Sequence, residues 1–526
     1  MPPVPAGRPA GRLAVAMLVL SLAACGGGSQ SASDLPAGDP ATAVDGKTSD
    51  VLLDSALDGV TIAITVHEPS RLATGGRYPL ILHSHGYGGT RQSARPTGGL
   101  LKSLLDQGYG VLSIDQRGHG ESGGTIRILD PEKEGVDLLQ VLDWAEANLP
   151  WLAYREGNLV LGAVGGSYGG GFQHLIYAID PKRRLDAIAP EITWHDLRYS
   201  LASGQDDNVF KSYWGTLLSV GGNVLAGPGS QDAEVNEGLV QGLATGTLPD
   251  DKLALLYRHS LASYCNNENP LGRLSRIDAL YWQSSRDTLF NLNDAWNNVQ
   301  CVAAQGGDVR LLVKAPGHDG GGSEQCGQLD KDRSILAWYD EKLKGISGAA
   351  DYIPDYCFHL GDDGEDGVVS NRFPVGGTRF EVPAQTLLAQ TGSPQTASIL
   401  LTTIGSGGAV LAGIPTATVT VEDPTGLGAL DPVIFLALAK RSPGDNQDSL
   451  LMGNQVRPVR GYGVQPLDLV GVSARLAEGD ELRLVIQASN STRYPLMGAR
   501  VGAPVAVSAS LGVPLLAGNL PAPPAR

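Results

Sequence analysis

The sequence predicts an α/β fold in which a mostly parallel sheet is covered by helices on both faces, followed by an all-β sandwich. Three observations lead there. Between about residues 51 and 345, short apolar β-runs alternate with helical patterns, as strand–helix–strand units require. From about 194 to 274 the alternation stops and the patterns are helical. Beyond about 358 helical periodicity is lost, and short β-runs are punctuated by Gly, Pro and Asp, the signature of a β-sandwich.

In chain order, Arg8 and Arg12 precede an apolar run at 13–22, about ten residues and too short to span a bilayer as a helix. The run ends in Leu22-Ala23-Ala24-Cys25, which resembles a bacterial lipobox. That resemblance implies cleavage before Cys25 and a lipid on its sulfur; the alternative is a plain secretory signal cut after Ala24. Residues 1–25 are therefore read as a lipoprotein signal, and the exported chain is expected on the cell envelope. Gly26 lacks the acidic character linked to inner-membrane retention, which favours the outer membrane. Residues 26–50 are small and polar with few large apolar side chains; such a segment buries too little surface to fold and reads as a tether.

Residues 51–345 form the expected α/β domain. Its strands are placed at 60–66, 79–83, 110–114, 158–164, 187–189, 277–282 and 309–314, with the first antiparallel at the edge. Its helices are placed at 131–148, 168–179, 288–303 and 331–344. The helical stretch 194–274 is a cap over the carboxyl ends of the strands. Residues 346–526 form the β-sandwich, with runs at 398–403, 417–421, 433–439, 481–487 and 505–511. No His follows His359 and no Cys follows Cys357, so the chemistry is assigned to the first domain.

The formal charge is −16 with no long basic run, which excludes a nucleic-acid partner that needs a basic face. Cys265, Cys301, Cys326 and Cys357 remain besides Cys25. An even number in an exported chain implies disulfides; of three pairings, Cys301–Cys326 is favoured because it would brace the loop holding His318. Their spacing does not resemble a zinc site, and neither metal nor cofactor is expected.

Two segments match G-x-S-x-G: Gly165-Gly166-Ser167-Tyr168-Gly169 and Gly120-Glu121-Ser122-Gly123-Gly124. With 70 glycines in 526 residues, chance supplies roughly one such match, so context decides. Ser167 directly follows an apolar strand and opens a helical run, the setting of a nucleophile elbow. Ser122 sits in a polar loop. The sequence thus predicts an α/β-hydrolase fold with Ser167 as nucleophile. A serine hydroxyl needs a His base, itself oriented by an acid, in the chain order Ser, acid, His. His318 follows the strand at 309–314 and is the expected base. His174 is placed on the helix after the elbow, and His195 and His259 in the cap. Asp287 ends the strand at 277–282 and is the expected acid, with a helix N-cap as its alternative role. Asp294 lies about two turns later, and Asp278 lies at the wrong end of the strand. The oxyanion needs two donors. One is the Tyr168 amide; the other is Tyr87, through its amide or its phenol, in the loop His83-Ser84-His85-Gly86-Tyr87. His85 is expected to order that loop.

Together these residues resemble the Xaa-Pro dipeptidyl-peptidase and cocaine-esterase-like (CocE/NonD) acyl hydrolases, over roughly residues 53–514. The run from Asp115 to Gly124 looks like that group's D-x-RG-x-G-x-S-x-G segment, Gly166–Gly170 like its elbow, and residues 181–190 like its stretch before the cap. The resemblance implies a catalytic Ser, Asp and His falling on Ser167, Asp287 and His318, an oxyanion-hole Tyr falling on Tyr87, and a carboxy-terminal jelly-roll domain walling the site. The His85-Gly86 pair departs from the group and looks more like general esterases. A dipeptidyl peptidase must also hold a free amino terminus, for which Asp206, Asp207 and Glu234 are available in the cap. The expected substrate is a small ester or peptide, with a carboxylic ester favoured. An Xaa-Pro dipeptidyl peptidase is the alternative enzyme, and a binding protein on the same fold the alternative of another class.

Overall fold

The computed structural model describes residues 33–524 apart from 205, 319, 321, 362–365, 390–394, 427–430 and 496–502. Cys25 and the signal lie outside the described residues.

Ten strands form one central sheet: β1 Thr48–Asp54, β2 Thr61–His67, β3 Leu80–Ser84, β4 Gly110–Ile114, β5 Leu161–Gly166, β6 Leu185–Glu191, β7 Asp278–Ser284, β8 Val309–Lys314, β9 Tyr356–His359 and β10 Gly367–Ser370. Their order across the sheet is β10-β9-β8-β7-β6-β5-β3-β4-β2-β1. Strands β3 to β9 run parallel, while β1, β2 and β10 are antiparallel to their neighbours. The chain steps outward from β3 to β4, then returns to the other side of β3 with β5. That reversal opens a crevice at the carboxyl ends of β3 and β5, where open α/β sheets bind ligands.

Side chains alternate across the sheet with period two. In β5, Leu161 and Ala163 face a layer containing α2 Glu134–Asn148, α3 Tyr168–Ile179 and α9 Leu292–Ala303. Its Val164 faces α1 Gly99–Asp106 and α10 Lys331–Lys342, whose Leu104, Ile335, Trp338 and Tyr339 pack on Ile81, Val111 and Leu312. Both faces are therefore dry, which explains why these strands read as continuous apolar runs.

Between β6 and β7 lie α4 Leu197–Ala202, α5 Ser212–Val220, a π-turn Gly221–Leu225, α6 Ala233–Thr245, α7 Asp250–Arg258 and α8 Leu261–Cys265. No strand occurs there among the described residues. The C-terminal region is built of antiparallel sheets, the larger ones containing Thr378–Ala389 with Ala503–Val513 and Thr416–Glu422, and Thr396–Thr403 with Glu481–Gln487 and Val433–Arg441. They share an apolar core that includes Val419, Leu436, Leu484 and Val507.

Three expectations need correction. Part of the segment read as a tether is paired strand: Asp39–Asp45 pairs with Arg71–Thr74, and β1 pairs with β2. Asp39–Asp45 is almost wholly exposed, so it is held by backbone pairing and carries no apolar signature. Second, the central sheet continues past residue 345 through β9 and β10. Third, the favoured Cys301–Cys326 bond does not form; the disulfides are Cys265–Cys301 and Cys326–Cys357. Cys265 and Cys301 pack in the α9 layer and Cys326 and Cys357 in the α10 layer, so the expected bond would have to cross the sheet. Peptide mapping under non-reducing conditions is expected to recover these two linkages, and replacing Cys326 and Cys357 with Ser is expected to lower unfolding free energy by about 2–4 kcal/mol in denaturant titration.

Candidate active site

Ser167 stands between β5 and α3 with φ 57° and ψ −118°, a conformation that costs an L-residue energy and persists only when its surroundings impose it. They do so here through packing and hydrogen bonds. A Cβ on Gly169 would lie 2.3 Å from the Ser84 carbonyl oxygen, and one on Gly165 would lie 2.4 Å from the Gly169 carbonyl oxygen. The Ser167 amide donates to the Glu191 carbonyl at 2.9 Å, and the Thr193 hydroxyl donates to the Ser167 carbonyl at 2.9 Å. The hydroxyl is thereby lifted above the ends of the strands.

His318 comes from the loop after β8. Its Nε2 is 2.9 Å from Ser167 Oγ, and its Nδ1 is 2.7 Å from Asp287 Oδ2. Asp287 is wholly buried at the end of β7. Its other oxygen accepts the Leu289 and Phe290 amides at 2.8 and 2.9 Å. These two N–H groups hold the carboxylate, and its other oxygen accepts a hydrogen bond from Nδ1–H, leaving Nε2 to accept from Ser167. The imidazole is gripped edge-on by Trp214 and Phe290, with ring centres 5.3 and 5.2 Å away. Thus the three residues singled out in the sequence meet in one hydrogen-bonded chain.

The other sequence candidates take no part in that hydrogen-bonded chain. Ser122 donates to the Asp115 carbonyl at 2.7 Å and accepts the Ala63 amide at 2.8 Å, tying a buried loop. His174 packs on α3 with its Nε2 3.0 Å from the Tyr281 hydroxyl, and burial lowers its pKa to about 3. His85 Nε2 accepts the Gln116 amide at 3.1 Å, which fixes Nδ1 as donor to the Gly86 carbonyl at 2.8 Å. The Tyr87 phenol donates to Gln231 of the cap at 2.7 Å. Its burial raises the hydroxyl pKa, so it is a neutral group committed to the cap. Asp207 is paired with Arg457 at 2.6 Å and Glu234 with Arg127 at 2.8 Å.

Some contributors escaped the sequence reading. Lys211, just before α5, sends its Nζ to the Thr288 and Leu289 carbonyls at 2.9 and 3.2 Å. Burial lowers its pKa to about 8, opposed by Asp294 and Asp287. Trp214 donates to Thr288 Oγ1 at 3.0 Å, so the cap clasps the Asp287 turn from above. Glu191 forms ion pairs with Lys314 and with Lys331, and both lysines also pair with Glu324. Burial opposes ionisation of Glu191, but the two lysines outweigh it and hold its pKa below the ordinary value. Only Glu191 carried a signal, since it ends an apolar strand beside the elbow.

Residues 58–319 match the family model described as X-Pro dipeptidyl-peptidase (S15 family). Through this segment the chain belongs to the S15 family. A CocE/NonD family hydrolase from Staphylococcus aureus has a similar structure, with a TM-score of 0.60 over 90% of this chain and 94% of its own at 14% identity. An alpha-amino acid ester hydrolase aligns with a TM-score of 0.65 over 90% of this chain and 97% of its own at 12% identity. At such identity these two show the fold, an α/β-hydrolase. An uncharacterized 31.7 kDa protein in the traX-finO intergenic region of Escherichia coli is 27% identical over 141 residues, 27% of this chain and 46% of that protein. The chain thus spans about half the length of the first curated relatives it matches.

Behind the elbow, Glu134 opens α2 fully buried. Its carboxyl accepts the Arg127 and Asp130 amides at 2.7 and 3.1 Å, while burial pushes its pKa from 4.5 up to about 8. A carboxyl whose pKa is raised on folding contributes stability that is fully present below its unfolded pKa and is lost as pH rises through its folded one. The wild type is therefore expected to lose stability relative to Glu134→Gln as pH rises from about 4.5 to about 8. Urea unfolding across that window checks it, and a constant difference would refute it.

Proposed function

We propose that this hydrolase is a serine esterase that cleaves carboxylic esters through an acyl-enzyme on Ser167. The observation that carries the reading is the hydrogen-bonded chain Ser167–His318–Asp287. As Ser167 Oγ attacks the ester carbonyl, its proton passes to His318 Nε2. The resulting imidazolium is stabilised by Asp287, which stays ionised. The oxyanion is received by the backbone N–H groups of Tyr168 and Tyr87; the amide of Tyr87 is the donor because its phenol is occupied by Gln231. Collapse expels the alcohol, which takes the proton from His318. Water then attacks the acyl-enzyme carbonyl and gives a proton to His318; the bond between Ser167 Oγ and the acyl carbon breaks, His318 returns the proton to Ser167 Oγ, and the free acid leaves.

The state of the acids that could hold a free amino terminus favours an ester over such a peptide, and neither Asp207 nor Glu234 lines the cleft. Asp207 and Glu234 are spent on arginines, and Glu191 on two lysines. The second reading, an Xaa-Pro dipeptidyl peptidase, is favoured by the family match and by Asp332, which lines the cleft. We also propose export and lipidation at Cys25, which the two disulfides support because they persist in oxidising compartments; radiolabelled palmitate is expected to enter the wild type and not Cys25→Ala.

Ser167→Ala and Asp287→Asn are each expected to lower kcat on p-nitrophenyl esters on the order of 10⁴-fold or more, and a fluorophosphonate probe should label Ser167. Cleavage of Xaa-Pro anilides with inert esters would exchange the two readings. Full function in Ser167→Ala would leave a binding protein.

A further inference from the structure

The cleft above Ser167 has a volume of about 1170 Å³ and a mixed lining. Gln92, Arg95, Lys331 and Asp332 contribute polar and charged residues, and Leu100, Leu101 and Ile335 apolar ones. From the cap, α5 and the π-turn contribute Trp214, Leu217, Leu218, Val220 and Leu225, with no charged side chain from those two elements. Helix α5 is continued directly by the π-turn, and Leu217, Val220 and Leu225 from these two elements all line the cleft. They are 40%, 44% and 69% exposed. A contiguous apolar stripe left open to water marks a ligand groove more often than an accident of folding. This one begins at Trp214, whose ring touches His318, and runs to the mouth of the cleft. Its backbone is also fixed: a Cβ on Gly88 would lie 2.8 Å from the Gly221 carbonyl oxygen, and one on Gly222 would lie 2.6 Å from the Tyr87 hydroxyl. The stripe is therefore a built wall of the site.

Resting on the esterase reading above, we infer that the substrate is an ester carrying a medium- to long-chain aliphatic acyl group, which lies along Leu217, Val220 and Leu225 while the polar alcohol faces Gln92 and Arg95. Burial of each methylene is worth about fourfold in kcat/KM where the wall is fully used. Shape and length, not charge, would set selectivity on that side.

Two measurements test it. The first is kcat/KM for p-nitrophenyl esters from acetate to dodecanoate, in the wild type and in a Leu217→Ser, Leu225→Ser double variant. Both positions are open to solvent, and thermal melting confirms folding. The wild type is expected to gain at least about tenfold from acetate to octanoate, and the double variant to lose most of that gain. The second is binding of a fluorescent fatty-acid analogue to Ser167→Ala, with and without the two serines; the serines should weaken it about tenfold. Flat chain-length dependence together with equal binding in both proteins would overturn the wall. Analogue binding that the serines weaken, in a protein that hydrolyses no ester, would instead overturn the esterase reading and keep the wall.

Discussion

The site depends on a single backbone constraint, the turn that carries Ser167 out of β5 and into α3. A positive φ on a residue with a Cβ is unfavourable by itself, and three features hold it. The glycines at 165 and 169 let the α3 backbone close against β3 and against the turn itself. The amide and carbonyl of Ser167 are both occupied, by Glu191 and Thr193 at the end of β6 and just beyond. The buried face of α3 then locks the helix onto the sheet through Phe172 and Ile176. Without that turn Ser167 Oγ would not stand at the crevice opened by the strand order, where His318 reaches it.

His318 and Asp287 depend on a different support, one that joins all three parts of the chain. The Asp287 turn receives Lys211 and Trp214 from the cap. From the β-rich region, Gln455 donates to the Ser285 carbonyl at 3.1 Å. Asn293, at the start of α9, donates to the Leu469 carbonyl and accepts the Gly471 amide at 2.9 and 2.8 Å. A loop carboxylate ordered only by its own backbone would sample other rotamers; one pinned from two further directions is preorganised, which is where transition-state stabilisation comes from. The disulfide Cys326–Cys357 ties the far end of the His318 loop to β9, so that loop is anchored through a covalent link and the Asp287 turn through polar contacts.

How much of this could be read from the sequence follows from how local each signal is. The strands at 110–114 and 309–314 coincide with β4 and β8 because apolar runs flanked by turns are local patterns. Ser167 was separable from Ser122 by its neighbours alone, and Asp287 and His318 by their places after β7 and β8. Long-range partners left no trace. Lys211 meets Thr288 across 77 residues, and Tyr87 meets Gln231 across 144; neither Lys nor Gln announces such a role in its own surroundings. The disulfide pairing failed for the same reason. It depends on which face of the sheet each cysteine occupies, and a helix position such as Cys301 does not reveal its face until the packing is known.

The charges around the cleft carry a last consequence for selectivity. Glu191, Glu324, Lys314 and Lys331 form a quartet whose formal charges cancel. Ions placed beside a reacting carbonyl without partners would perturb it across a low-dielectric gap; compensated in pairs, they add little net field. Compensation also makes the quartet a poor receptor for a substrate ammonium, since drawing Glu191 away would leave Lys314, itself almost wholly buried, short of a partner at high cost. On the proposed esterase reading, discrimination would fall to the uncharged cap residues and to the hydrogen-bond donors above the elbow. Recognition by apolar contact is graded rather than absolute, so such a site would sort esters by size and shape.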